Sequence, residues 1–150
     1  FTDVGQLILL VIFLAVWVVD SFFLHLTTLL TAWVPLYLRL GVAGVVLALG
    51  IYLMSVSHFI VRPENRQSRV VDSGIFRHVR HPLYLASIVT FLSLVVSTLS
   101  LAALAVWVVI FCFYDYVSAY EEQYLINKFG EAYRVYRSKT GKWLPKIGAG

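Results

Sequence analysis

Two groups of residues in this sequence carry reactive chemistry. The first is Arg77, His78, Arg80, His81, Pro82 and Tyr84; the second is the adjacent acid pair Glu121 and Glu122. Guanidinium and imidazole groups hold anions or pair with carboxylates, and a carboxylate receives a cation such as an ammonium. Pro82 marks a helix start, because proline is favoured at the first helical position, where its missing N–H would have had no partner. His81 then falls at the N-cap or in the first turn, beside the positive end of the helix dipole, where carboxylates bind. Neighbouring residues on a helix diverge by about 100°, so Glu121 and Glu122 cannot both face water harmlessly. One of them must turn toward the bundle or the basic loop.

The elements that position these groups are apolar. Of 150 residues, 60% are hydrophobic and 13% charged, which points to a membrane protein of one domain and leaves nucleic acid a poor partner. Eleven of the twelve Lys and Arg residues fall within 62–80 and 128–146; Arg39 is the exception. The positive-inside rule puts both segments in the cytoplasm, where they would also favour anionic lipid or an acidic substrate. The single cysteine, Cys112, excludes an intrachain disulfide and a cysteine-based metal site, and is expected to be a small core residue. No metal is called for.

In chain order, residues 4–24 form a first span, expected to be a membrane segment and not a cleaved leader, since Asp3 makes its start acidic. Asp20 and His25 suggest a helix end at the interface, and residues 26–38 an outer loop with Trp33 and Tyr37 at headgroup depth. Leu40–Ser57 is the second span, with Gly41, Gly44, Ala48 and Ser55 as small packing positions and His58 at its cytoplasmic end. A loop over 62–80 follows, in which Arg69-Val70-Val71 is a short extended piece.

Pro82–Tyr114 holds thirty-three residues without a formal charge. One helix of that length would be about 50 Å long, against a hydrocarbon core of ~30 Å, so a helical hairpin turning near Ser97-Thr98 is expected. Its second arm continues through Asp115–Phe129. Residues 118–147 are amphipathic, with Tyr120, Tyr124, Phe129, Tyr133 and Tyr136 at near-helical spacing; Gly130 breaks the helix, and Gly141 and Pro145 end the tail. The expected fold is an all-α polytopic membrane helix bundle of about four transmembrane helices, including a helical hairpin, with a C-terminal cytoplasmic amphipathic helix.

Arg80-His81-Pro82-Leu83-Tyr84, then Glu121-Glu122, then Phe129-Gly130-x-x-Tyr133-x-x-Tyr136 and Leu144-Pro145 resemble one known pattern. The chain is similar in this order of motifs to the isoprenylcysteine carboxyl methyltransferases and their phospholipid methyltransferase relatives. The resemblance covers roughly residues 58–147, so it divides the single domain into N-terminal spans (1–61) and a cofactor-binding catalytic half (62–147).

The resemblance implies an integral membrane methyltransferase that uses S-adenosyl-L-methionine. Ser68, Arg69, Val70, Val71, Phe76, His81, Pro82, Leu83, Tyr84 and Glu121 would then bind the cofactor, and Arg80, Glu121 and Glu122 would serve catalysis. Tyr133 and Tyr136 would close a lid or simply pack. The acceptor would be lipophilic and membrane-soluble, a prenylcysteine carboxylate or a lipid amine or thiol. Members of the family often carry an arginine where this chain has Val117, while Asp115 would repel an anionic acceptor; Arg77 or Arg134 are the candidate substitutes. Two rivals remain: a nicotinamide-dependent reductase, for which the chain is short, and a non-enzymatic membrane scaffold or sensor with a degenerate site.

Overall fold

The computed structural model describes residues 2–60 and 70–146. Five α-helices make up the described chain: α1 (Thr2–Val18), α2 (Leu36–Ile60), α3 (Pro82–Thr98), α4 (Leu101–Phe129) and α5 (Glu131–Lys139). Three apolar stretches are long enough to cross a membrane, Asp3–Leu24, Leu36–Ile60 and Leu101–Phe129, and α3 is a shorter apolar helix. The chain is therefore an all-α, polytopic membrane bundle. Among the described residues there is no strand, and Val79 and Gly141 form an isolated parallel bridge.

The first span is not uniform. Past Val18 it continues as a π-helical turn, Val19–Leu24, that ends at His25 in the left-handed region (φ 51°). Asp20 explains the change. It is 5% exposed, and its carboxylate accepts hydrogen bonds from Thr27 N at 3.1 Å, Thr27 Oγ1 at 2.5 Å and Ser100 Oγ at 2.5 Å. The helix end expected there is real, but its acid turns inward and does not sit open at the interface. Ser21 adds a bond to Thr98 Oγ1 at 2.9 Å. The end of α1 is thereby tied to the turn of the hairpin.

That turn falls where the apolar run implied. α3 ends at Thr98, Leu99 takes φ 51°, and Ser100 caps α4 by accepting from Ala103 N at 3.1 Å. The core between α1, α3 and α4 is built of Phe13, Ile88, Val95, Ala103, Ile110 and Tyr114. Two indoles reach across it to carbonyls of α3: Trp17 Nε1 donates to Leu94 O at 3.0 Å and Trp107 Nε1 to Ile88 O at 2.9 Å. In an apolar surround such bonds hold helices together where lipid and side chain are equally hydrophobic.

Helix α2 packs on α3 through Ala43, Gly50, Leu53 and Ser57. At Gly50 a Cβ would lie 2.5 Å from Thr90 Oγ1 and 3.2 Å from Thr90 N, so the two backbones meet there. The small residues expected to do this, Gly41, Gly44, Ala48 and Ser55, lie on exposed faces, and Gly41 and Gly44 have open space around them. Cys112 likewise is exposed rather than in the core. It stands two residues from both Ile110 and Tyr114, about 200° around the helix from the buried stripe, so it faces outward.

Candidate functional site

The site forms where the start of α3 meets the far end of α4. Residues Gly74–Arg77 make a 3-10 turn; Gly74 has φ 57°, and a Cβ there would collide with Ile60 Cδ1. The turn delivers Val79, Arg80 and His81 to the helix start. Pro82 is the first helical residue and His81 the N-cap, but the His81 side chain does not cap the backbone. It turns to α4 instead. His81 Nε2 lies 3.1 Å from Glu122 Oε1, and since a carboxylate only accepts, the ring hydrogen sits on Nε2.

Glu122 is 3% exposed, and both its oxygens are engaged. Oε1 accepts from Arg80 Nε at 2.8 Å as well as from His81, and Oε2 pairs with Arg137 Nε at 3.0 Å. A buried carboxylate is tolerated when it is paired and hydrogen-bonded in this way. Arg80 extends the network, donating from a terminal guanidinium nitrogen to Thr140 O and, at 3.3 Å, to Arg137 O. Its backbone N–H bonds Gly141 O at 2.9 Å. One acid thus joins the α3 start, α5 and the tail.

Glu121 is placed differently. Its side chain is 41% exposed, with Oε2 at 3.1 Å from the Tyr84 hydroxyl that donates to it and 3.9 Å from His81 Nδ1. His81 and Tyr84 stack with ring centroids 5.7 Å apart, and Tyr84 lies 5.2 Å from Tyr114. The 100° separation of the adjacent acids thus yields one carboxylate neutralised inside the protein and one at its surface beside aromatic rings.

Helix α5 is latched over this end. Gly130 (φ 57°) breaks α4 from α5, and Tyr136 donates to Phe76 O at 2.6 Å. Tyr133 is 3% exposed and packs 5.6 Å from Tyr136. Burial pushes both phenols well above their ordinary pKa, so both keep their protons.

Of the residues singled out from the sequence, Arg80, His81, Pro82, Tyr84, Glu121 and Glu122 come together here. Val70, Val71, Phe76 and Leu83 are partly buried, and Phe76 touches the group through its carbonyl and Tyr136. Ser68 and Arg69 lie outside the described residues. Arg77 is exposed, and its carbonyl accepts from Thr140 Oγ1 at 3.4 Å. Arg134 is exposed on α5 without a side-chain hydrogen bond or ion pair among the described residues, and Val117 is 6% exposed inside the bundle.

Asp115 is not the bare anion its sequence neighbours suggest. Lys142 Nζ lies 2.5 Å from its Oδ1, and Trp143 Nε1 donates to the same oxygen at 3.0 Å. Arg137, Lys142 and Trp143 escape a reading of sequence because each acts across a fold. Of the periodic tyrosines, Tyr133 and Tyr136 pack inward near Arg137, whereas Tyr120 and Tyr124 are exposed, so the spacing alone did not mark the buried face.

Fold and site together define a polytopic helical membrane protein with an ion-paired polar centre at one end of its bundle. The chain belongs to the phospholipid methyltransferase family, whose sequence profile matches residues 40–132. It is 33% identical over 99 residues to a protein-S-isoprenylcysteine O-methyltransferase of Schizosaccharomyces pombe, covering 62% of this chain and 40% of that protein. It is 32% identical over 93 residues to methanethiol S-methyltransferase 1 of Bradyrhizobium diazoefficiens, covering 62% and 32%. It is also 34% identical over 117 residues to the cobalt-zinc-cadmium resistance protein CzcN of Cupriavidus metallidurans, covering 77% and 52%. The chain thus spans about half or less of the length of these relatives. No solved structure matches it significantly.

Proposed function

We propose that the chain is a methyltransferase that moves a methyl group from S-adenosyl-L-methionine to a lipophilic acceptor at the membrane boundary. The observation that carries this reading is the contrast between Glu122, sealed by three partners, and Glu121, half-exposed beside Tyr84 and His81. An unneutralised carboxylate next to aromatic rings suits a ligand that bears an ammonium and a sulfonium. The residues present therefore fit this cofactor.

Glu121 would hold the ammonium, and the first turn of α3 with His81 and Pro82 would receive the carboxylate. Val70 and Val71, with Ser68 and Arg69 before them, would cover the adenine, and Phe76, Leu83 and Tyr84 would line the cationic centre. When bound, the cofactor supplies an electrophilic methyl group on sulfur. Arg80 and Glu122 act as positioning residues that fix His81. The chain's task is alignment and exclusion of water, which together supply roughly 7–11 kcal/mol of a barrier. An acceptor that is already anionic requires no dedicated general base, whereas a thiol or amine acceptor also releases a proton, which passes to water.

The relatives' names point to two acceptor classes, a prenylcysteine carboxyl group and a small thiol. Val117, buried, supplies no cation from α4 itself, which favours a thiol or amine acceptor over a carboxylate. The clustering of Arg77, Arg80, Arg137 and Lys142 at one end favours a cytoplasmic site, with both termini on that side.

Thermal unfolding in detergent tests the reading. S-adenosyl-L-methionine at 100 times its dissociation constant adds about 2.7 kcal/mol, and NADPH adds nothing. Protection by NADPH alone would replace this reading with a reductase, and protection by neither would leave a scaffold. Transfer of radiolabelled methyl to a panel of prenylcysteines, lipid amines and thiols then identifies the acceptor.

A further inference from the structure

Beyond α5, residues 140–143 turn back against the bundle. Residues 140–144 form a strap that crosses from the start of α3 to the side of α4. Gly141 joins it to Val79 and Arg80, and only glycine fits, because a Cβ would collide with Leu144 O. Asp115 holds the other end. Its Oδ1 receives Lys142 Nζ at 2.5 Å and Trp143 Nε1 at 3.0 Å, and its carbonyl receives Lys142 Nζ again at 3.1 Å. Seven residues separate Asp115 from Glu122, so the clasp lies about 10 Å along α4 from the buried acid, toward the hairpin turn. An ionisable pair on a membrane-spanning helix points to a task, and this one is only part-buried, with the Asp115 side chain 49% and the Lys142 side chain 23% exposed.

The task is legible in what Trp143 touches. Its ring lies 6.1 Å from His81 and 5.8 Å from Phe111, centroid to centroid. His81 has Tyr84 and Trp143 as its aromatic neighbours and a bond from Nε2 to Glu122. A single hydrogen bond leaves an imidazole free to swing about it; Tyr84 stacked parallel to the ring and Trp143 tilted against it together remove that freedom.

We infer that Trp143, clasped by Asp115 and Lys142, is a positioning residue that fixes the His81 ring between Glu122 and Glu121. The strap is therefore part of the site, not a trailing end. The role given to His81 rests on the methyl-transfer reading, whereas the fixing of its ring by Trp143 does not.

The test uses the full chain with ¹⁵N-labelled histidine in micelles, His81 being assigned by its loss in His81→Gln. The native chain shows one tautomer, with the hydrogen on Nε2. Asp115→Ala and Trp143→Phe each shift the His81 signals toward the average of two tautomers, since each loses the indole bond. Asp115→Asn keeps an oxygen for that bond and retains the native signals. Affinity for S-adenosyl-L-methionine follows the same order, about tenfold weaker in Asp115→Ala and restored in Asp115→Asn. Unchanged His81 signals in Trp143→Phe, or failure of Asp115→Asn to restore them, overturn the inference. If Asp115→Ala does not fold, Trp143→Phe decides. If the native chain binds no methyl donor, the proposed function falls and the histidine signals alone judge the strap.

Discussion

The hydroxyl of Tyr84 donates to Glu121 Oε2 at 3.1 Å across 37 residues of sequence, joining the first turn of α3 to the far end of α4. One residue further along, Glu122 makes ion pairs with Arg80 and Arg137 and is closed to solvent. Two adjacent acids thus differ in setting: Glu122 is sealed within the fold, whereas Glu121 is part-exposed, where the proposed ligand would meet it.

Substituting them separates these settings. Glu121→Gln is expected to weaken S-adenosyl-L-methionine binding by about 1.5–3 kcal/mol, the contribution of a hydrogen bond to a charged group, with little change in melting. Glu122→Gln removes one partner of a buried network and is expected to cost about 3–5 kcal/mol of stability. Calorimetry and thermal unfolding on both variants check the pair. Equal effects of the two on stability would contradict the division of roles.

The knot around Asp20 is far from the ion cluster and should be energetically separate from it. Asp20→Ala strands Thr27 and Ser100, and a loss of about 2–3 kcal/mol in stability is expected. Affinity for the methyl donor should stay within twofold of native, roughly the additivity limit for distant sites. A tenfold loss of affinity would show that the two ends communicate.

Tyr133 and Tyr136 set an alkaline limit. Burial raises both phenols above the ordinary value of 10.0, so the folded chain keeps protons that the unfolded chain releases. Stability is complete below about pH 10 and declines above it, by up to about 1.4 kcal/mol per pH unit for each phenol. Tyr136→Phe loses the bond to Phe76 O and is less stable at neutral pH, but its decline above pH 10 is shallower. Unfolding measured from pH 8 to 11 distinguishes the two slopes.

Val117→Arg places a guanidinium at a position only 6% exposed. A buried, unpaired charge destabilises by several kcal/mol, so this variant is expected to melt early and to gain no activity toward a prenylcysteine carboxylate. A stable variant with that new activity would place the acceptor against this face of α4.

How far the sequence could be read follows from which signals are local. Pro82 at the first helical position, the hairpin turn at Thr98–Ser100 and the break at Gly130 each depend on a few neighbouring residues, and each was legible. The inward face of α2 was not, because in a bilayer the lipid side and the packed side are both apolar. Gly50 could not be told from Gly41 or Gly44 until Thr90 stood opposite it. Asp115 looked like an unopposed anion because its partners, Lys142 and Trp143, arrive from the far end of the chain. The motif carried the acid pair, but which glutamate is sealed depends on Arg137.

The 29 residues of α4 run without interruption for about 43 Å, from the serine that binds Asp20 to the glycine where α5 departs. Ser100 and Glu122 are thus mounted on one rigid rod, about 33 Å apart, close to the thickness of a bilayer's hydrocarbon layer. Thicker or thinner lipid cannot change that spacing; it can only tilt the rod or alter how deeply the clasp at Asp115 is immersed. Turnover in vesicles should therefore peak at one acyl-chain length and fall on either side of it.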